Sequence, residues 1–211
     1  MLLLAMISNP LGACAQRAGG DIAAAFEREL TSAGGSVETI DCRFEQTRSM
    51  SVLASDVRRC GRFVCCRSEG IALLFDDGDY IKMTADRFAM RSGGRVTRTR
   101  TSSNPMLRSM TSMLSACMSG DVSGLMKGFS SAVECDARSY TLTLEPQNGR
   151  ASSRISCITL VFDRADMSLS SLSMSEPSGD ATSYRFYDKK FNTPVSGVLT
   201  DTDTDADETG R

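Results

Sequence analysis

The sequence predicts an α+β fold in which one N-terminal helix precedes a long, curled antiparallel sheet, with a helical segment inserted mid-chain. Three observations predict it. The stretch "GGDIAAAFERELTSAGG" carries an apolar stripe at helical spacing between a capping acid and a glycine pair. Beyond it, short runs of alternating apolar and polar residues recur at close intervals between turn signals. Residues 104–129, "NPMLRSMTSMLSACMSGDVSGLMKGF", break that alternation and gather Met106, Met110, Met113, Met118 and Met126.

Each element has a local reason. Asp21 is the expected N-cap of the helix, Ile22, Phe26 and Leu30 are its buried stripe, and Gly34-Gly35 ends it. From Ser36 the period shifts toward two. "SVETIDCRFEQTR" reads as a strand whose apolar positions are Val37, then Ile40, Cys42 and Phe44, the phase change predicting a bulge. "GRFVCCR", "GIALLFDD", "DYIKMTA", "DRFAMRS" and "RVTRTRT" follow as an antiparallel meander, with "DDGD" and "SGG" as turns. Phe63, Cys65, Ile71, Leu73 and Phe75 share one face, and Leu74 on the other makes the alternation imperfect. After the methionine segment, strands resume with "SAVECDA", "SYTLTLEP", "RISCITLVFD", "SLSSLSMSE" and "ATSYRFYDKKFN", and "QNG" marks a hairpin. A sheet of this length curls.

In the methionine segment, Met106, Met110, Met113 and Cys117 fall on one helical face, flanked by Leu107 and Leu114. Pro105 suits a first helical position, and "SGD" separates a second short helix, Val122 to Phe129. Leu or Ile would specify a permanent core better than Met, whose flexible thioether remoulds around changing shapes. The segment therefore reads as a lid over an apolar pocket for variable cargo, against the plainer reading of Met as packing filler.

Composition narrows the function classes. The formal net charge of -2 gives no electrostatic case for nucleic acid, although Arg91, Arg95, Arg98, Arg100 and Arg108 form a local basic run. There is no histidine, which removes His-dependent nucleophilic catalysis and histidine metal sites. Asp76, Asp77 and Asp79 have turn composition, so neither an enzyme nor a metal or cofactor site is expected. Eight cysteines without C-x-x-C spacing read as small core hydrophobes rather than a disulfide framework.

The start, "MLLLAMISNPLGACAQRAGG", has an apolar run and an A-x-A pattern ending at Ala15, as a signal peptide does. The missing basic region places the expected true start upstream of Met1. "LGAC" equally resembles a bacterial lipobox with Cys14 as the lipidated residue. Residues 1–15 are thus read as a signal segment, 16–199 as one domain, and "DTDTDADETGR" within 200–211 as a disordered acidic tail. No later apolar stretch approaches the length of a membrane span. Export to a periplasm is expected.

"FEQTRSMSVLASDVRRCGRFVCCRSEGIALLF", Phe44 to Phe75, resembles the opening signature of LolA-like outer-membrane lipoprotein carrier proteins. That signature has an F-x-Q, a spacer, a G-x-[FL] strand, an arginine at the next turn and an apolar strand. "GDYIKM", the helical insert and the closing "YDKKFNTPV" continue the likeness over roughly Ile22 to Val198. The resemblance implies an unclosed β-barrel lidded by helices, carrying the acyl chains of lipoproteins across the periplasm as a chaperone. It implies as partners an inner-membrane lipoprotein-releasing ABC transporter and an outer-membrane acceptor, with the carrier a monomer. The wall of the cavity would be Phe63, Cys65, Ile71, Leu73 and Phe75. The family's turn arginine latches the lid, and Arg67 in "CRSEG" stands in its place. Ser68 where the family has proline, and "VCC" in the strand, depart from the pattern and bear on gating and cavity shape. Two other readings stand beside this one: a lipid-anchored acceptor of the same fold held through Cys14, and a non-catalytic envelope scaffold.

Overall fold

The computed structural model describes residues 19–52, 55–100, 116, 129–147, 155–195 and 197–199. The signal-segment readings at Cys14 and Ala15, the lid residues Met106, Leu107, Met110, Met113, Leu114 and Cys117, and the tail 200–211 lie outside these.

One helix, α1 (Gly19–Gly34), forms where the apolar stripe predicts it. Ala25, Phe26 and Leu30 are buried, and Ile22 and Ala33 pack beside them. The helix starts earlier than the N-cap reading allows, so Asp21 lies in the first turn, where its charge still meets the positive end of the helix dipole. At the other end Gly35 N–H donates to Thr31 O at 3.2 Å and closes the last turn.

The strands make two meanders. The first is β1 (Thr39–Ser49), β2 (Val57–Cys66), β3 (Gly70–Phe75), β4 (Tyr80–Met83), β5 (Arg87–Ser92) and β6 (Arg95–Arg100). The second is β7 (Phe129–Cys135), β8 (Ser139–Pro146), β9 (Cys157–Asp163), β10 (Leu169–Ser175) and β11 (Ala181–Phe191). They join through an antiparallel β1–β11 pair, giving one 11-stranded sheet in the order β6-β5-β4-β3-β2-β1-β11-β10-β9-β8-β7. The first and last strands of that order are not paired with each other, so the sheet is unclosed. Residues 101–128 run in sequence from one outer strand, β6, to the other, β7.

Two local expectations need correction. Val37 precedes β1 instead of belonging to it, so its phase difference from Ile40 marks the end of a turn and no bulge. The register irregularity lies further on, where Asp41 and Arg43 of β1 face Lys190 and Tyr187 of β11. The extra residue is on β11 beside Asp188, whose φ of 53° is a left-handed conformation that aspartate tolerates.

The sheet's two faces are both apolar in part, for different reasons. The inner face carries α1 and the main core, including Phe44, Phe63, Ile71, Leu73, Phe75, Met83, Leu142, Leu160 and Phe162. On the outer face of β2 and β3, Val64, Cys66 and Ala72 pack under Val195 and Leu199, with Leu74 and Val198 at the margin. This explains the imperfect alternation around Leu74: the chain returns over that patch after β11. Gly70, with φ 136°, opens β3 where a Cβ would stand 2.1 Å from Met83 O, so only glycine fits.

Candidate functional site: the inner face of the sheet

The expected wall residues Phe63, Cys65, Ile71, Leu73 and Phe75 do share one face, and all five are buried. Strand pairing extends them into apolar rungs. One rung runs Cys42–Phe63–Leu73–Ile81–Met90 across β1 to β5. A second runs Ile40–Cys65–Ile71–Met83–Phe88. In the second meander Leu142, Leu160, Leu172 and Tyr184 form a matching rung across β8 to β11. Alternation with period two puts every one of these side chains on the same side.

α1 covers the second-meander wing. The Phe26 ring packs 5.3 Å from Tyr140 and 5.2 Å from Phe162, centroid to centroid. Toward the middle of the sheet Phe44 meets Phe75 edge-on at 5.2 Å, and Phe63 lies 5.1 Å from Phe186. Between Phe44 and Phe75 in the ladder stands Gly61, over whose Cα the Phe44 ring closes. Ala116, inside the methionine segment, has helical backbone and packs against this same core.

Polar groups rim the apolar field at both ends. At one end the buried Gln46 donates from Nε2 to the Tyr184 hydroxyl at 2.6 Å. Beside it, Arg59 lies 4.0 Å above the Phe75 ring and is held by Asp77 and Asp79, each at 2.7 Å. At the other end Lys189 Nζ donates to Ser168 Oγ at 2.6 Å, and Ser168 in turn donates to Asp166 at 2.6 Å. Sequence reasoning quoted Gln46 within the F-x-Q motif but gave it no role. Its signal was a polar residue on the inward parity of an otherwise apolar strand.

Arg67 sits at the β2–β3 turn and fastens it to the end of α1. Its guanidinium donates to Val37 O at 2.7 and 3.0 Å and to Gly34 O, with Glu38 at 3.7 Å. Gly34 O lies at the negative end of the helix dipole, so a cation there is favourable. All these described partners belong to the α1–β1 connection, and any reach toward 101–115 or 117–128 lies outside the described residues.

The arrangement offers shape and greasiness more than chemistry. Burial pushes the Cys42 and Cys65 thiols up to about 12, which leaves both protonated at neutral pH. Burial also raises the Tyr184 phenol. The "DDGD" carboxylates are engaged by arginines: Asp76 by Arg43, and Asp77 and Asp79 by Arg59. The hydrogen bond from Arg59 holds Asp77 below the usual carboxylate range. No group of three or more metal-ligating side chains occurs among the described residues. Cys135 is disulfide-bonded, a departure from the expectation of small core hydrophobes, while Cys42, Cys60, Cys65, Cys66 and Cys157 are free.

The thiols give a direct test of how closed this face is. A brief pulse of iodoacetamide at mildly alkaline pH, read by peptide mass spectrometry, should label the exposed Cys60 and spare Cys42 and Cys65. Equal labelling of all three would mean that water reaches the inner face in the resting protein.

No helix among the described residues is long and apolar enough to cross a membrane. No family model matches the chain, and no curated protein does. Solved structures do. An uncharacterized conserved protein from Thermus thermophilus is similar at TM-score 0.52 and 8% identity, over 84% of this chain and 91% of the other. A LolA superfamily protein from Nitrosomonas europaea is similar at TM-score 0.43 and 11% identity, over 85% and 97%. The lipoprotein LppX of Mycobacterium tuberculosis is similar at TM-score 0.39 and 13% identity, over 81% and 95%. At 8% identity the likeness to the Thermus protein is one of fold.

Proposed function

We propose that the chain is a non-catalytic periplasmic carrier that shelters the acyl chains of lipoproteins against the inner face of its sheet and delivers them to the outer membrane. The observation that carries this reading is the set of unbroken apolar rungs, Cys42 to Met90 and Leu142 to Tyr184, bounded by polar groups only at their ends. Acyl chains need such a surface and no directional partner. Each buried CH₂ contributes about 0.8 kcal/mol, so a few chains suffice for tight holding. Release then requires a competitor for the same surface. Residues 104–129 fill that role in this reading, because they link the outer strands β6 and β7 in sequence and Ala116 packs on the core. Closing a methionine-rich cover lowers the net affinity for cargo by the free energy of opening it.

In this reading a lipoprotein-releasing transporter supplies the cargo and an outer-membrane acceptor takes it. Arg67 adds a mechanical element: by tying the β2–β3 turn to the end of α1 it fixes the helix over the sheet. The test is transfer. The purified protein should move a fluorescent triacylated lipopeptide from donor vesicles into the soluble fraction, and Arg67→Leu should alter either uptake or release. No solubilisation at any protein concentration would refute the carrier role. Unchanged uptake and release in Arg67→Leu would remove the latch alone. If the mature protein starts with a diacylated Cys14, the same inner face serves a membrane-anchored acceptor instead.

A further inference from the structure

Gln46 is out of place on an apolar face. Among the described residues it and Ser168 are the only buried polar or charged side chains, and Ser168 is satisfied by Lys189 and Asp166. Gln46 stands on the inward parity of β1, after Ile40, Cys42 and Phe44. Its register partners are Tyr184 on β11 and Arg59 on β2, so the three share one rung of the inner face. Gln46 and Tyr184 are each only 6% exposed. Beyond Tyr184 the same rung continues through Leu172 and Leu160 to Leu142. Three strand spacings, about 14 Å of apolar track, thus end at one hydrogen-bonded polar pair.

That pair is only half used. Gln46 Nε2 donates to the Tyr184 hydroxyl at 2.6 Å, and neither side chain makes another hydrogen bond among the described residues. The Tyr184 oxygen acts as acceptor there, so its own O–H is left to donate, and the Gln46 side-chain carbonyl is left to accept. Burial raises the Tyr184 phenol, which keeps its proton in place at neutral pH. An open donor beside an open acceptor in a buried setting is costly to leave empty. The surrounding charge disfavours an anion as the occupant. Arg59 is bound by Asp77 and Asp79, each at 2.7 Å, so two carboxylates outweigh its single charge. Arg48, the other cation whose field reaches Tyr184, is exposed and acts on Asp180 as well. A neutral group with one acceptor and one donor fits what remains.

We infer that Gln46 and Tyr184 form a polar subsite for a secondary amide at the head of an acyl chain, such as the link between a fatty acid and the N-terminal amine of a triacylated lipopeptide. The Tyr184 O–H donates to the amide carbonyl, and the Gln46 carbonyl accepts from the amide N–H. The inference rests on the carrier reading and adds to it the group that is recognised. Hydrocarbon alone is held by any apolar surface, whereas the amide fixes how far its chain enters along the Leu142–Leu172 track. An ester in the same place has no N–H and leaves the Gln46 carbonyl unpaired. A site built around such a pair discriminates against a ligand that leaves one member empty.

Titration calorimetry of the full chain with a triacylated lipopeptide, and with the same lipopeptide whose N-acyl amide is replaced by an ester, reads both contacts. The parent should bind the amide about three- to tenfold more tightly than the ester. Gln46→Met keeps the size and removes the acceptor, so it should abolish that preference. Tyr184→Phe should weaken both ligands, each by about the same three- to tenfold. Where a single change costs stability, Gln46→Met combined with Tyr184→Phe restores a matched apolar pair and should bind amide and ester equally. An apolar fluorescent dye should bind the parent and all three variants alike. Equal affinity of the parent for amide and ester would overturn the subsite, and so would a Tyr184→Phe protein as tight as the parent. Either result leaves the carrier reading standing. A parent that binds neither lipopeptide would overturn both.

Discussion

Phe26→Ala is expected to lower the thermal unfolding midpoint by about 10 °C, corresponding to roughly 3–5 kcal/mol lost from a domain of this size. Phe26 is fully buried on α1 and makes ring contacts with Tyr140 of β8 and Phe162 of β9. Truncation deletes the aromatic surface and leaves a cavity that the flanking strands close only in part. These strands sit far along the sheet from β1, the strand that follows α1 in sequence, so Phe26 is what fixes the helix across the second meander. Differential scanning calorimetry measures the effect directly. A shift under about 3 °C would mean that α1 is not anchored here. Phe26→Leu should recover much of the loss, since it restores most of the volume.

Gly61→Val is expected to be comparably damaging, by about 3 kcal/mol or more, through the opposite mechanism of overpacking. A Cβ at this position would stand 2.3 Å from Leu74 O and 2.6 Å from the Phe44 ring. The ring could turn aside, but the carbonyl belongs to the neighbouring strand and can yield only by breaking the ladder. Displacing Phe44 also disturbs its edge-on contact with Phe75, in the middle of the apolar field. The variant should therefore lose stability and acyl binding together. Denaturant unfolding with a lipopeptide-binding assay would show this, and a variant as stable as the parent would mean that the β2–β3 pair is not as close as drawn.

Much of this architecture was legible in the sequence because it is written in local periods. Tyr140, Leu142 and Leu144 alternate without error and all three are buried in β8. Phe63, Cys65, Ile71, Leu73 and Phe75 were assignable to one face because two strands separated by a short turn keep their phase. What failed depended on distant partners. Nothing near β1 announces that its second neighbour is β11, some 140 residues away, yet that pair joins the two meanders. Leu74 looked like an error of alternation because the outer-face patch it borders is covered by Val195 and Leu199, which come more than a hundred residues later. β2 begins at Val57, four residues before its glycine, since "VRRC" is polar by sequence and takes its strand state from pairing with β1. Gln46 was overlooked for the same reason: its partner, the Tyr184 hydroxyl, sits on β11.

The account depends on the inner face being a surface that hydrocarbon can occupy. The rungs, the protonated thiols and the polar rim each fit that use. Native mass spectrometry of the full chain, gently purified from a bacterial envelope and then mixed with triacylated lipopeptide, tests the point most directly. The account predicts a one-to-one complex that dissociates on activation to the protein and an intact acylated species, and that is lost when Leu73 is replaced by Asp in a chain that still folds. A protein that stays at its bare mass at saturating lipopeptide would contradict it.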